Sequence, residues 1–261
     1  MTEADVSQVA PSSLPLPPSP LVGSPRYFAL LYTPAAMRIT LSTVFALADE
    51  ISAGAGRGLD HSVAHLRLDW WRLEAQRYAR GEPQHPWLRA LLARQPVGVR
   101  LNLQPLVEAA ATDLATESTR AQPGAALAGA VFRLAETALR AGQHAATASA
   151  ALQQRLNDLG QRVDELERFA SGRMPPHSSS ITPGMPTATL KALQREACGI
   201  DSALQPQLAP LLVWIALAAR QAQRHARGAG TKGGSGLAAL ADNIAAWSSA
   251  RRALRGRFRI A

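Results

Sequence analysis

The sequence is poor in several residue types, and each shortage excludes a class of protein or site. Cys198 is the single cysteine among 261 residues, so neither a disulfide framework nor a cysteine metal site can form within one chain. Aromatic residues make up 5% of the chain, and β-branched residues are few beside alanine and leucine, which favours helix over strand. The longest apolar run, Leu208–Ala219, contains Pro210 and is too short to cross a bilayer, so it predicts a buried helix.

The motifs of common catalytic sites are also missing. The glycine-rich segment 228–236 lacks the spacing of a phosphate-binding loop and follows no predicted strand, so we expect a flexible loop. His61 and His65 are spaced i, i+4, but no acidic third ligand lies nearby, which argues against zinc. No GxSxG segment is present, and nothing supports a Cys-His nucleophile beyond the presence of both residue types.

The first residues include Glu3 and Asp5 and show no basic segment followed by an apolar one. This pattern predicts that the chain carries no signal peptide. We therefore expect a cytoplasmic protein, with association at a membrane surface as an open alternative.

The charge is strongly basic, with a formal net charge of +9, and Lys191 and Lys232 are its only lysines. Such a balance permits anionic partners: nucleic acid, an anionic membrane or a diphosphate group. A GC-rich genome would give the same arginine bias without any functional reason. The arginine-rich tail after Ala250 lacks interleaved aromatic residues for base stacking, so a basic nucleic-acid binder is the weakest of the functional alternatives.

The organisation along the chain predicts a Pro/Ser-rich disordered tail over residues 1–25 and one all-α domain over residues 26–261. No segment alternates as a strand would, and the loop over residues 171–186 is rich in Gly, Pro and Ser. Eight to ten helices are expected. Nine of them lie near residues 33–54, 60–81, 86–96, 105–117, 123–140, 143–170, 187–198, 205–227 and 237–256.

Three helices carry apolar residues at helical spacing, and we expect these residues to be buried. Adjacent Trp70 and Trp71 point about 100° apart, so a helix that buries both must be wedged between other elements. The predicted buried residues fall into three sets: Leu59, Val63, Leu66, Trp70 and Leu73; Leu152, Leu156, Leu159, Val163 and Leu166; and Leu240, Ile244, Trp247 and Leu254.

Several segments together resemble the squalene/phytoene synthase family. They are RYFALLYTP, LSTVFALADEIS, RLDWWRLEAQRYARGEPQHP, WLRALLA and RVDELERFASGRMPP, and the likeness covers about residues 25–258 and is most specific over 66–86. The resemblance implies an isoprenoid-synthase fold, in which helices surround a central apolar cavity. It also implies four cavity-wall candidates: Tyr27, Phe45, Trp70 and Trp71.

Active members of that family carry two DxxxD motifs that face each other across the cavity and hold Mg²⁺ on a prenyl diphosphate. Aspartates at i and i+4 share one helix face and can hold a metal jointly. Asp49 matches the first aspartate of one motif, but its partner position is Ala53. Asp164 matches the first aspartate of the other, but its partner position is Arg168, which predicts a surface ion pair.

Carboxylates beside the incomplete motifs are further candidates for a diphosphate or metal site: Glu50, Glu165 and Glu167. Two functions follow from the resemblance. The first is a catalytically degenerate protein, similar to the family's non-catalytic branch that includes respiratory complex I assembly factors, which binds an isoprenoid or a protein partner without a cofactor. The second is an active Mg²⁺-dependent transferase that joins two prenyl diphosphates head to head.

Overall fold

The computed structural model describes residues 15–55, 60–95, 100–117, 124–141, 149–172, 185–227 and 236–260. These residues form ten helices and no strand, which confirms the all-α prediction. In chain order the helices are α1 (Pro25–Leu31), α2 (Ala35–Gly54), α3 (His61–Arg80), α4 (Pro86–Arg94), α5 (Gln104–Glu117), α6 (Ala125–Arg140), α7 (Ala150–Ala170), α8 (Met185–Cys198), α9 (Ala209–Ala226) and α10 (Gly236–Leu254).

The core is built around α9, which packs against α1, α7, α8 and α10. Residues 208–219 are buried without exception, as expected for the longest apolar run. Helices α6 and α7 lie in very close contact. A Cβ atom at Gly160 would collide with the carbonyl oxygen of Ala128, so only glycine fits at this position. The predicted stripe of α7, from Leu152 to Leu166, is buried as expected.

Local sequence signals fix several helix ends. Asp60 accepts a hydrogen bond from the Ser62 N–H and caps α3, and Gly81 ends that helix with a φ of 91°, a conformation that favours glycine. At the start of α2, Pro34 occupies the cap position, and the Thr33 hydroxyl donates to the carbonyl oxygen of Ala29 in α1.

The α3 stripe, defined as Val63, Leu66, Trp70 and Leu73, is not buried as predicted. Leu66 is 69% exposed and Trp70 39% exposed. The buried face instead consists of Ala64, Leu68, Trp71, Ala75 and Tyr78. This second set has the same helical spacing and lies on the neighbouring face of α3, through which the helix packs. Only one of the two adjacent tryptophans, Trp71, therefore enters the core.

The α10 stripe, defined as Leu240, Ile244, Trp247 and Leu254, is also exposed rather than buried. The small residues Ala246 and Ala250 form the inner face and pack against Val213 and Leu217 of α9. Alanines let the two helices approach closely, so the larger side chains of α10 remain outside.

The loop between α3 and α4 is held by Glu74, whose side chain is fully buried. Its Oε1 accepts the backbone N–H groups of Gln84 and His85 at 2.7 Å each, and its Oε2 lies 3.3 Å from Arg77 Nη1. The carboxylate thereby satisfies two backbone amides of the loop, of which that of His85 is buried, and fixes the entry to α4.

Some predictions fall outside the described residues. They are the tail up to residue 14, the predicted burial of Leu59, residues 143–148 of the helix predicted near 143–170, most of the 171–186 loop and the glycine-rich segment 228–235. Within the predicted tail the structure describes residues 15–25, where Pro17 is buried and Ser24 caps α1. Within the described ranges, no helix combines the length and the apolar character needed to cross a bilayer.

Candidate functional site

A cavity of about 650 Å³ lies between the start of α1 and helices α2, α5, α6 and α7. This volume falls within the range of small-molecule sites, roughly 300–1,000 Å³. Its apolar lining includes Ala48, Ala55, Ala110, Leu114, Leu127 and Val131. Charged side chains complete the wall: Arg26, Asp49, Asp113, Asp164, Glu167 and Arg168.

Asp49 reaches the cavity from α2 and is paired with Arg26. The Arg26 Nη1 atom donates to Asp49 Oδ1 at 2.5 Å, and the Asp49 side chain is 68% exposed. The Arg26 guanidinium carbon lies 5.1 Å from the ring centre of Trp214 and 5.7 Å from that of Phe45. Two aromatic rings and one carboxylate therefore hold this guanidinium at the cavity.

Asp164 reaches the same cavity from α7 and is paired with Arg168 one turn later. Their side chains are 27% and 20% exposed, so the predicted surface ion pair is in fact partly buried. Burial raises the pKa of Asp164 to about 6 and outweighs the opposite effect of the Arg168 charge. This carboxyl therefore gains and loses its proton close to neutral pH.

Glu167, one turn after Asp164, also lines the cavity. The indole Nε1 of Trp214 donates to Glu167 Oε1 at 2.6 Å. Desolvation raises the pKa of Glu167, and the positive charge of Arg26 acts against that rise. Trp214, one of the two rings that support Arg26, thus also bonds this carboxyl of α7.

Asp113 contributes a fourth carboxyl from α5. It accepts the backbone N–H groups of Ala126 and Leu127 at 3.0 and 2.8 Å. Gly124 precedes α6 and has no side chain, so Asp113 supplies the cap of α6 from another helix. Desolvation raises the pKa of Asp113, although both N–H groups act to lower it.

The remaining carboxylate candidates lie outside this cavity. Glu50 Oε2 lies 3.3 Å from His85 Nε2, on the side of α2 that faces the α3–α4 loop. Glu165 Oε1 accepts a hydrogen bond from the Thr189 hydroxyl of α8 at 3.0 Å. Because residues adjacent in a helix point about 100° apart, neither can share a face with the cavity carboxyl beside it.

None of the four cavity-wall candidates is among the described residues that line the cavity. Tyr27 lines a separate pocket of about 310 Å³, with Leu30 and Ile39. Phe45 is buried against Trp214, at a ring-centre distance of 5.2 Å. Trp71 packs on His85 at 5.1 Å, and Trp70 lies in the exposed α3 stripe.

The described residues do not fit a Mg²⁺ cluster. Asp49 and Asp164, the two motif aspartates, are each occupied by an arginine, and Ala53 is exposed and offers no oxygen. Among the described residues, no group of three or more His, Cys, Asp or Glu side chains is arranged to hold a metal ion. Hard divalent cations prefer several oxygen ligands, which this set does not bring together.

Sequence reasoning overlooked Arg26, Asp113 and Trp214. Two of them carried a physical signal. Arg26 stands in the first turn of a helix, where a cation opposes the helix dipole and so calls for a carboxylate partner. Asp113 is spaced three and four residues from the buried Ala110 and Ala109, which places it on the apolar face of α5. Trp214 lay within an apolar run that gave no hint of its hydrogen bond.

No family model, curated protein or solved structure matches this chain. The all-α fold is therefore described from its own helices. The family resemblance stays a hypothesis that depends on the quoted segments and on what the cavity brings together.

Proposed function

We propose that this chain is a catalytically degenerate squalene/phytoene synthase-like protein that binds an isoprenoid and acts as an accessory or assembly factor. An isoprenoid-synthase-like arrangement around the cavity is part of the proposal. One observation carries it: Asp49 and Asp164 line the same cavity from two helices. The resemblance predicts this placement, because the first aspartates of the two motifs face each other across the cavity in active members of the family.

The charges of the cavity support binding without turnover. Four carboxyl groups face two guanidinium groups, and each motif aspartate is paired with an arginine. An excess of carboxyl groups disfavours a diphosphate unless cations bridge the two. The alanine, leucine and valine wall suits a prenyl chain whose head group is uncharged.

Binding can be tested with farnesol and farnesyl diphosphate, each with and without Mg²⁺. Trp214 donates to Glu167 at the cavity, so its fluorescence should change when the cavity fills. We expect farnesol to bind without Mg²⁺ and Ser52→Trp, at the exposed cavity edge, to abolish binding. Ala36→Trp, exposed on the same helix outside the cavity, is the matched control. Failure of both compounds to bind would contradict an isoprenoid ligand and favour a protein partner.

Turnover is tested by incubation with farnesyl or geranylgeranyl diphosphate and Mg²⁺, followed by a pyrophosphate assay. We expect no release above that of a boiled sample. Pyrophosphate release that Asp49→Ala abolishes would overturn the degenerate assignment, because only catalysis through the motif predicts it.

One observation favours the active transferase as a second candidate. Asp164 and Glu167 are three residues apart on α7, and both line the cavity, so a carboxyl pair survives at i, i+3 in place of i, i+4. Retained turnover that Glu167→Gln removes, with Glu165→Gln as the control outside the cavity, would support this alternative. Absence of both turnover and Mg²⁺-dependent binding would exclude it.

A further inference from the structure

The large apolar side chains of α10, which form the α10 stripe, face outward, and its small side chains face the core. Leu240 and Ile244 are each 57% exposed, Trp247 is 53% exposed and Leu254 is 61% exposed. The alanines of the opposite face already bury the helix against α9. The stripe therefore contributes nothing to the described core, and water is a poor solvent for it.

The exposed charged side chains of α10 and of the segment just beyond it are all arginines. Arg251, Arg255, Arg257 and Arg259 are exposed at the C-terminal end of α10 and just beyond it. The guanidinium carbon of Arg251 lies 5.2 Å from the ring centre of Trp247.

Carboxylates near the stripe do little to offset these cations. Asp242, the sole acidic residue from position 236 to the last residue, is turned inward and bound by Arg220 and Arg224. Asp201 stands exposed at the same end, next to Ser202, whose carbonyl oxygen faces Gly256. One exposed carboxylate against four exposed guanidiniums leaves this end strongly cationic.

We propose that α10 is an in-plane docking helix for anionic lipid bilayers, a role independent of what the cavity binds. A helix lies in a membrane interface when an apolar stripe enters the acyl boundary while basic side chains reach anionic headgroups. Tryptophan is enriched at that boundary, and arginine stems extend along it to keep their charge in the headgroup layer.

Other partners match only half of this surface. A nucleic acid would attract the arginines but would leave Leu240, Ile244 and Leu254 without an apolar partner. A second copy of the chain would cover the stripe but would place like charges together at the arginine end. A bilayer of anionic lipids satisfies both halves at once.

The test uses flotation of the full chain with vesicles of phosphatidylcholine alone or with 30% phosphatidylglycerol. We expect the chain to float with the anionic vesicles at about 50 mM NaCl and to be released near 500 mM, since salt screens the attraction. Changing Arg251, Arg255, Arg257 and Arg259 to Gln should lower the partition coefficient at least a hundredfold, from about fivefold for each arginine.

The apolar half is tested by Ile244→Ser with Trp247→Ser, which should lower partitioning at least tenfold. The matched control is Leu66→Ser with Leu73→Ser on the equally exposed α3 stripe, which should leave partitioning unchanged. Brominated lipids should quench the wild-type fluorescence but not that of Trp247→Phe. Circular dichroism confirms that each variant is folded.

Three results would overturn the proposal. The first is a wild-type chain that stays unbound to anionic vesicles at low salt. The second is a stripe variant that floats as well as the wild type. The third is a dimer, or a complex with duplex DNA, that depends on α10 while vesicle binding is absent.

Discussion

The two motif aspartates, Asp49 and Asp164, share one cavity and one kind of partner but have different surroundings. Each is paired with an arginine. Asp49 remains 68% exposed, while Asp164 is 27% exposed with its pKa raised to about 6. A sequence motif treats the two positions as equivalent, whereas burial raises the pKa of Asp164 towards neutrality.

Burial also decides what each arginine does. Water already solvates Asp49, so Arg26 adds little there and is held mainly by the rings of Trp214 and Phe45. Asp164 has lost most of its hydration, so Arg168 compensates a charge that would otherwise stand uncompensated. The four predictions below test this contrast in order of decreasing effect.

The strongest test is the pH dependence of stability that Asp164 contributes. The folded pKa of Asp164, about 6, exceeds its ordinary value of 3.8, so the folded state binds more protons between these values. Stability contributed by this group is therefore present at low pH and is lost as pH rises through 6. Relative to Asp164→Asn, the wild type should lose about 2 to 3 kcal/mol between pH 4 and pH 7.

Urea unfolding of the wild type and Asp164→Asn at a series of pH values measures this difference. Asp49→Asn, which changes the exposed motif aspartate, is measured alongside them. If the free energy of unfolding of Asp164→Asn depended on pH in the same way as that of the wild type, the raised pKa of Asp164 would be contradicted.

Removal of the Arg168 charge should give the next largest effect. Arg168→Met leaves the Asp164 carboxylate without its nearest cation and should lower the free energy of unfolding by about 2 kcal/mol at pH 8. At pH 5 the carboxyl is mostly protonated, so the loss should shrink. Arg89→Met, at an exposed position of α4, is the control in urea unfolding. An equal loss at both pH values would point to lost packing and not to charge.

Removal of the Arg26 charge should have a smaller effect. Arg26→Met keeps an apolar stem over Trp214 and Phe45 but removes the cation, so we expect about 1 kcal/mol. Because Arg26 also opposes the raised pKa of Glu167, that carboxyl should hold its proton to a higher pH. The measurement is urea unfolding combined with an NMR titration of the glutamate side chains. An unchanged Glu167 titration would show that the charge of Arg26 does not act on the Glu167 carboxyl.

Neutralisation of Asp49 should matter least. Asp49→Asn removes one exposed ion pair and should change the free energy of unfolding by less than about 0.5 kcal/mol. Thermal unfolding by circular dichroism measures it, with Asp69→Asn as a control, because Asp69 is similarly exposed and paired with Arg72. A loss of 2 kcal/mol or more would show that Asp49 is more buried in solution than its 68% exposure implies.

The sequence was sufficient to predict the helices, but it did not predict which face of α3 and of α10 is buried. In α3, one set of residues from Val63 to Leu73 and another from Ala64 to Tyr78 have the same spacing, so periodicity cannot choose between them. The choice depends on which neighbours cover the helix. In an alanine-rich chain the face with the smaller side chains can be the buried one, because it packs more closely. The same ambiguity affected α10.

The candidate site was predictable in part. Asp49, Asp164 and Glu167 could be named from the quoted segments, and all three line the cavity. The partners that set their chemistry could not, because Arg26 comes from another helix and burial around Asp164 depends on tertiary packing. A short motif records which residue stands at a position and not how much water surrounds it.

The carboxylate of Asp113 ties the first turn of α6 to α5, and this has a consequence for amide exchange. The N–H groups of Ala126 and Leu127 are protected by a residue on another helix, so they should exchange with solvent only when α5 moves away. In Asp113→Ala both amides should exchange at rates typical of a frayed helix end, while amides in the middle of α6 keep their protection. A helix whose first turn depends on another in this way reports the docking of its neighbour, residue by residue, in an exchange experiment.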